Sequence, residues 1–483
     1  MRLSFPTLLL ATLAAGCSSS LAITPDSANP GTNQPLKIAT DDPAPTADGP
    51  ADHAPPGGPW IGVAGLSECV LPGTSETMLG VWVDVPVTAK QRAPSSAVAL
   101  LVDTSGSMSG PKIEHAREAA TALMNKLPDG DLVGLYSFSD VVRENLPLTR
   151  LYTETRALFT ASVGTLGAAG STNLFEGLRT AERSVYAAPA THPVKRIVLV
   201  SDGKANVGPS SPEALGALAA RGEEHGIQVT AVGVGLDYDE STLNALAMRS
   251  SGRLYHLTES RDLTAILQKE MGLLQGTAAT GAYVDIVPAP GVEILSTENV
   301  RSTAVNGATR VPLGSMFAGQ HREVLVRVRV TASVDGDHPL ASVRLHFRDP
   351  SDGNLERVQE TVARYRVTRD PSEIASRENA RTREIVAVAE AGKLAAAAAE
   401  TAAKGDADKA ARDLVQAEEK LLAQARAAKG EAERQRLTAS ATNITKARKA
   451  TQAAAAAPAA AKPAAARAAA LEANEASMRS FGY

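Results

Sequence analysis

The chain has 483 residues, which is more than one compact core usually holds, so typical domain sizes predict two to four units. Its formal net charge is only -4, and acidic and basic residues are intermixed, so the charge balance argues against a nucleic-acid partner. Beyond the N-terminus, no segment is apolar for long enough to span a bilayer.

The N-terminus has the pattern of a secretory signal. Arg2 precedes the apolar segment Leu3–Leu13, which is too short to cross a bilayer, and small residues follow at 14–16. Ala-Ala-Gly before Cys17 resembles a bacterial lipobox, although Ala14 stands where Leu is commoner. That resemblance implies that residues 1–17 are a signal peptide and that Cys17 is lipidated. It also implies that the protein is anchored to a membrane of the bacterial cell envelope, at the outer membrane or cell surface. The alternative is a plain cleaved signal whose removal takes Cys17 with it.

Two regions follow the signal. We expect residues 18–75 to form a disordered linker, because most of this stretch is rich in Pro, Ala, Asp and Thr and cannot bury a core. Residues 76–94 predict a β segment. In it Val81, Val83 and Val85 alternate with Trp82 and Asp84, which is the period of a half-buried strand.

Residues 95–276 predict a doubly wound α/β unit. Apolar runs alternate with amphipathic segments, which is typical of a parallel sheet with helices on both faces. The expected strands are 97–102, 132–138, 196–200 and 229–234, with 253–257 at an edge. The expected helices are 112–126, 154–163, 174–186, 212–225, 240–248 and 261–274.

Residues 277–370 predict an antiparallel β sandwich, because the apolar period returns to two and Asp-Gly turns lie between the runs. The strand pattern near Thr77 has no core close to it in sequence. We therefore expect it to pair with this later sandwich, so that the α/β unit is an insertion.

The C-terminal part predicts helices. Residues 371–450 are expected to form a helical hairpin or bundle, with Gly405 and Gly430 as C-caps. Residues 451–483 form an Ala/Pro-rich tail that we expect to be poorly ordered.

Oxygen-bearing side chains follow the buried strand 97–102. Asp103, Ser105 and Ser107 stand at its carboxyl end, where open α/β sheets bind ligands. A carboxylate and two hydroxyls, with no sulfur or imidazole, suit a hard divalent cation. Thr172, near the start of a predicted helix, and Asp202, at the end of another strand, can add further oxygens.

This pattern resembles the metal-ion-dependent adhesion site (MIDAS) of von Willebrand factor type A (VWA) domains, Asp-x-Ser-x-Ser, then Thr, then Asp. The resemblance covers residues 95 to about 275 and implies that Ser105 and Ser107 ligate the ion directly. Thr172 would bind directly or through water, and Asp103 and Asp202 largely through water. The expected ion is Mg²⁺, with Mn²⁺ and Ca²⁺ as alternatives, and the expected partner is a protein that presents Asp or Glu.

Other interpretations remain at this point. Asp-x-Ser-x-Ser can be a simple turn in which the side chains satisfy backbone amides. The protein can also be an assembly factor or scaffold for an envelope complex that acts mainly through its C-terminal helices.

A haloacid-dehalogenase-like phosphatase also places an aspartate after a buried strand. It needs a second carboxylate two residues later as general acid, where this chain has Ser105. We therefore expect a non-enzymatic binding protein.

Overall fold

The computed structural model describes residues 58–87, 93–236, 238–257, 259–298 and 300–480. The predicted signal peptide, Cys17 and the larger part of the predicted linker lie outside these residues. Within them, no helix has both the length and the apolar content that a bilayer crossing requires.

The described chain begins with three strands, the first two of which lie where the sequence predicts a linker. These strands are β1 (Ile61–Gly65), β2 (Cys69–Val70) and β3 (Gly73–Asp84). β1 pairs antiparallel with β3, and the Trp82 indole covers Gly62 so closely that any side chain there would collide with it. The linker prediction is therefore wrong from Ile61 onward. β1 contains two glycines and few large apolar residues, so its composition did not predict a strand. Its pairing with β3 stabilises it instead.

Strands and helices then alternate in the predicted α/β unit. Its strands are β4 (Ser96–Asp103), β5 (Leu132–Phe138), β6 (Val142–Arg150), β7 (Val194–Ser201), β8 (Ile227–Val234) and β9 (Arg253–Leu257). Its helices are α1 (Pro111–Lys126), α2 (Thr153–Gly164), α3 (Leu174–Tyr186), α4 (Pro212–Glu224), α5 (Glu240–Arg249) and α6 (Leu263–Gln275).

The six strands form one sheet in the order β6-β5-β4-β7-β8-β9, which is parallel except for β6. Every residue of β4 is buried, and its side chains enter two cores alternately. Leu100 packs with α1 and α6 on one face, and Leu101 packs with α3 on the other. The doubly wound prediction is thereby confirmed. The polar edge strand β6, which contains Pro147, was not predicted because its sequence lacks a clear apolar alternation.

The β sandwich consists of two sheets with a common apolar core. Its later strands are β10 (Thr277–Pro288), β11 (Val292–Glu298), β12 (Thr303–Val305), β13 (Ala308–Phe317), β14 (His321–Ala332), β15 (Gly336–Asp349) and β16 (Leu355–Val367). One sheet has the order β1-β3-β14-β11 and the other β12-β13-β10-β15-β16-β2. β3 pairs with β14 over its whole length, so the α/β unit is inserted into the sandwich, as predicted.

The C-terminal region is helical. It contains α7 (Pro371–Ser376), α8 (Ala380–Ala403), α9 (Ala407–Ala427), α10 (Glu431–Ala455) and α11 (Lys462–Ser480). Gly405 follows Lys404, the C-cap residue of α8, and has the left-handed φ of 91° that is usual directly after a helix, whereas Gly430 is the N-cap of α10 with a φ of -95°. Gly430 was therefore predicted in the wrong role.

The predicted tail is wrong for most of its length, because α11 packs into the protein. Ala469, Ala473 and Ala476 are buried in the helical core, where small side chains allow close helix packing. Leu471, on another face of α11, is buried in the core of the α/β unit. Composition alone suggested disorder, but tertiary packing supplies the stability that an isolated Ala/Pro-rich segment lacks.

Candidate metal centre

The site forms where strands end at the carboxyl edge of the parallel sheet. Asp103 is the last residue of β4, and Ser105 and Ser107 lie in the turn between β4 and α1. Asp202 directly follows β7, and Thr172 lies in the loop just before α3. Four of these five side chains belong to buried residues, whereas Ser107 is exposed and marks the side that is open to solvent.

Asp103 is completely buried, and hydrogen bonds hold both of its carboxylate oxygens. The backbone N–H of Ser105 donates to Oδ1 over 2.8 Å, and Ser201 Oγ donates to Oδ2 over 2.6 Å. Burial raises the pKa of Asp103, and the charge of Asp202 adds to this effect, while the hydrogen bonds from Ser201 and Ser105 oppose it. The carboxylate is thus fixed in orientation before any ion arrives.

The two serines and Asp202 form a connected row. Ser105 Oγ lies 3.1 Å from Ser107 Oγ, and Ser107 Oγ donates to Asp202 Oδ1 over 2.7 Å. The other oxygen of Asp202, Oδ2, accepts a hydrogen bond from the Lys112 ammonium group. The Asp202 carboxylate therefore already has a charged partner within the chain.

Thr172 is held against the loop that follows Asp202. Its backbone N–H donates to Asn206 Oδ1 over 2.8 Å, and its carbonyl accepts from the N–H groups of Asn206 and Val207 over 3.1 and 3.3 Å. These contacts use only the backbone of Thr172. The backbone contacts hold Thr172 in place, and its hydroxyl takes no part in them.

Gly203 shows how closely the oxygens converge. A methyl group at this position would lie 3.5 Å from Ser107 Oγ, 3.5 Å from Thr172 Oγ1 and 3.7 Å from Asp103 Oδ2. The absence of a side chain at Gly203 therefore leaves a cradle lined by two hydroxyls and a carboxylate. Ser105 and Asp202 join this set through their contacts with Ser107.

The donor set fits a hard divalent cation. It contains hydroxyl and carboxylate oxygens only, which are the ligands that Mg²⁺, Mn²⁺ and Ca²⁺ prefer. In the part of the chain that the structure describes, no three His, Cys, Asp or Glu residues come together as a possible metal site. The cluster around Gly203 differs from such a site, because it combines two carboxylates with three hydroxyl groups.

Three residues of this site were not predicted in these roles: Ser201, Asn206 and Lys112. Ser201 and Asn206 flank the predicted Asp202 in sequence, but their partners depend on which loops meet. Lys112 begins the predicted helix 112–126, and in the structure it contacts Asp202.

Comparison with known proteins identifies the class of the α/β unit. Residues 97–269 match the family model of the von Willebrand factor type A domain, so the chain contains a VWA domain. VWA domains commonly bind a divalent cation and generally mediate protein–protein interactions.

Two bacterial relatives are similar to this chain, and both are described as uncharacterized. Protein sll0103 of Synechocystis sp. is 23% identical over 291 residues, which cover 58% of this chain and 68% of that protein. YfbK of Escherichia coli is 26% identical over 266 residues, 52% of this chain. The match spans only 46% of the length of YfbK.

Solved structures resemble more than the VWA domain. A von Willebrand factor type A protein from Catenulispora acidiphila has a TM-score of 0.68 at 18% identity, covering 87% of this chain and 96% of its own. The ArnB paralog VWA2 from Sulfolobus acidocaldarius has a TM-score of 0.57 at 16% identity, covering 86% and 97%. At these identities the likeness concerns the fold alone, and it extends well beyond the α/β unit.

Proposed function

We propose that this chain is a metal-dependent, adhesion-type binding protein with a MIDAS built by Asp103, Ser105, Ser107, Thr172 and Asp202. A divalent cation in this site, Mg²⁺ before Mn²⁺ or Ca²⁺, would coordinate an Asp or Glu carboxylate of a protein partner. The single observation that carries the proposal is the convergence of hydroxyl and carboxylate oxygens around Gly203, on the face that Ser107 opens to solvent.

The chemistry of the donors explains why such a site would bind and not react. Hydroxyl ligands are neutral, and both oxygens of Asp103 and of Asp202 already accept hydrogen bonds within the protein. An ion held mainly by hydroxyls keeps much of its positive charge and attracts an external carboxylate. We propose no enzymatic activity, because Ser105 stands where a phosphatase of the haloacid-dehalogenase type needs its general acid.

Titration calorimetry with Mg²⁺ and Mn²⁺ tests the site on the full chain. We expect the wild type to bind one ion, and Asp103→Ala and Thr172→Ala to lose at least about tenfold in affinity, since each removes an oxygen from the set. Thr165→Ala is the matched control, because the Thr165 hydroxyl only donates to the Ser162 carbonyl. A wild type that takes up neither ion would disprove the metal site.

The alternative, a scaffold that acts through its helices, has less support. The large apolar side chains that are exposed in the described residues belong to the VWA domain and the sandwich region, and none belongs to the helical region 371–480. Within residues 371–480, the helices therefore offer no large exposed apolar side chain for docking. Capture of an envelope partner in the presence and absence of EDTA separates the two functions, because only binding through the ion is lost with the chelator.

We also propose that the protein is a lipoprotein of the bacterial cell envelope, anchored through Cys17. The support is the sequence from Arg2 to Cys17, with its apolar segment and its lipobox-like end. Labelling of growing cells with a radioactive fatty acid tests this proposal. Wild-type protein should carry label and Cys17→Ser none, whereas Cys69→Ser, which removes the other cysteine of the chain, should stay labelled.

A further inference from the structure

A lysine from the first turn of α1 reaches into the candidate metal centre. Lys112 Nζ contacts Asp202 Oδ2, and the side chain of Asp202 has no exposed surface, while that of Lys112 is 35% exposed. The amine and its neighbouring carbon also lie about 4 Å from the place where a Cβ on Gly235, after β8, would stand. Lys112 thus lies between the metal-site loop and the loop that follows β8.

The contact places a positive charge against a buried carboxylate. Asp103 and Asp202 are buried close together, and a buried carboxylate without a compensating cation is strongly destabilising. Lys112 is the cationic side chain in direct contact with either of them among the described residues. A divalent ion in the same site would also neutralise the negative charge of the two carboxylates. The ion and the ammonium group of Lys112 can therefore replace each other in this role.

We propose that Lys112 is a resident cation that stabilises the metal-free centre and weakens its affinity for the divalent ion. The inference rests on the proposed function, because it assumes that the centre takes up a metal. Two carboxylates can neutralise a divalent ion, so Lys112 leaves the loaded centre with an excess of positive charge. That excess strengthens the attraction for a partner carboxylate at the expense of metal affinity. Lys112 is therefore a positioning residue that lowers the affinity for the metal and raises the affinity of the loaded centre for a partner carboxylate.

Lys112→Met tests the proposal, because methionine keeps the apolar stem and removes the charge. We expect the metal-free variant to melt at a lower temperature than the wild type, since Asp202 loses its partner. We expect the Kd for Mn²⁺ to fall about tenfold or more, because one unit of repulsion near the ion disappears. The melting-temperature increase produced by Mn²⁺ should grow accordingly.

Matched variants separate charge from packing. Lys112→Gln, which is uncharged but can donate a hydrogen bond, should shift the Mn²⁺ affinity in the same direction as Lys112→Met. Lys112→Arg keeps the charge and should stay close to the wild type. Lys126→Met removes an exposed lysine from the last turn of the same helix and should change neither quantity.

The outcomes distinguish this inference from the proposed function. If the wild type binds Mn²⁺ and Lys112→Met binds it equally well or more weakly, the inference is wrong and the metal site stands. If the wild type does not bind Mn²⁺, the proposed function itself fails, whatever Lys112→Met binds.

Discussion

Gly203→Ala is the substitution that most directly probes the cradle. The new methyl group would meet Ser107 Oγ and Thr172 Oγ1 at 3.5 Å and Asp103 Oδ2 at 3.7 Å, which are ordinary van der Waals distances. Gly203 does not have the positive φ that would make alanine strained. We therefore expect the variant to fold, with metal-free stability unchanged or raised by up to about 1 kcal/mol through the lower entropy of the unfolded chain.

The affinity for the metal, in contrast to the stability of the metal-free protein, should fall in Gly203→Ala. A methyl group cannot donate or accept a hydrogen bond, so in the cradle it would exclude a water ligand of the bound ion. Loss of one hydrogen bond to a charged group is worth about 1.5–3 kcal/mol, which corresponds to roughly a tenfold to hundredfold weaker Kd. Calorimetry with Mn²⁺ measures this loss, and thermal melting with and without EDTA measures the loss of metal-induced stabilisation.

Gly167→Ala is the matched control, because a side chain at Gly167 would meet no atom within 4 Å. It carries the same chemical change in a loop close to the site and should bind Mn²⁺ as the wild type does. If Gly203→Ala also binds Mn²⁺ with wild-type affinity, the ion does not use the cradle, and the reasoning from these distances is refuted.

Other predictions concern stability. Ser201→Ala removes a donor from the buried Asp103 carboxylate and should cost about 1–3 kcal/mol in urea unfolding; an unchanged midpoint would contradict this. Leu471→Ala should cost about 2–5 kcal/mol, because Leu471 is buried in the VWA core, whereas a loose tail would show no effect. Burial raises the pKa of Glu182 to about 7, against the opposing charge of Arg221, so the folded state favours the protonated acid. Wild-type stability should therefore fall as pH rises from about 4.5 to 7, and Glu182→Gln should be more stable at pH 8 by on the order of 1–3 kcal/mol. Glu118→Gln, at an exposed position on α1, is the control and should leave the pH profile unchanged.

Local sequence patterns predicted much of the fold. The apolar run in β4 and the alternation that follows it predicted a doubly wound sheet, because a strand buried on both faces needs apolar residues on both sides. The same run located Asp103, Ser105 and Ser107 at a carboxyl edge. The valines of β3 predicted a half-buried strand, and the lack of a nearby core predicted its distant partner.

Where a segment has little intrinsic preference, composition gave the wrong answer. β1 contains glycines and is stabilised by its pairing with β3, and α11 is rich in alanine and is stabilised by α8, α10 and the VWA core. Neither source of stability is visible within the segment itself, because both consist of contacts with residues elsewhere in the chain.

The sequence by itself determined which residues end the buried strands and which of them carry oxygen, since strand period and end position are local properties of the chain. Only the tertiary structure decided which partners surround those oxygens. Ser201 reaches Asp103, Asn206 holds Thr172 and Lys112 reaches Asp202 because the sheet order sets neighbouring loops side by side. The physical reason is that these contacts join residues far apart in sequence, so their energies exist only after the sheet and helices have packed.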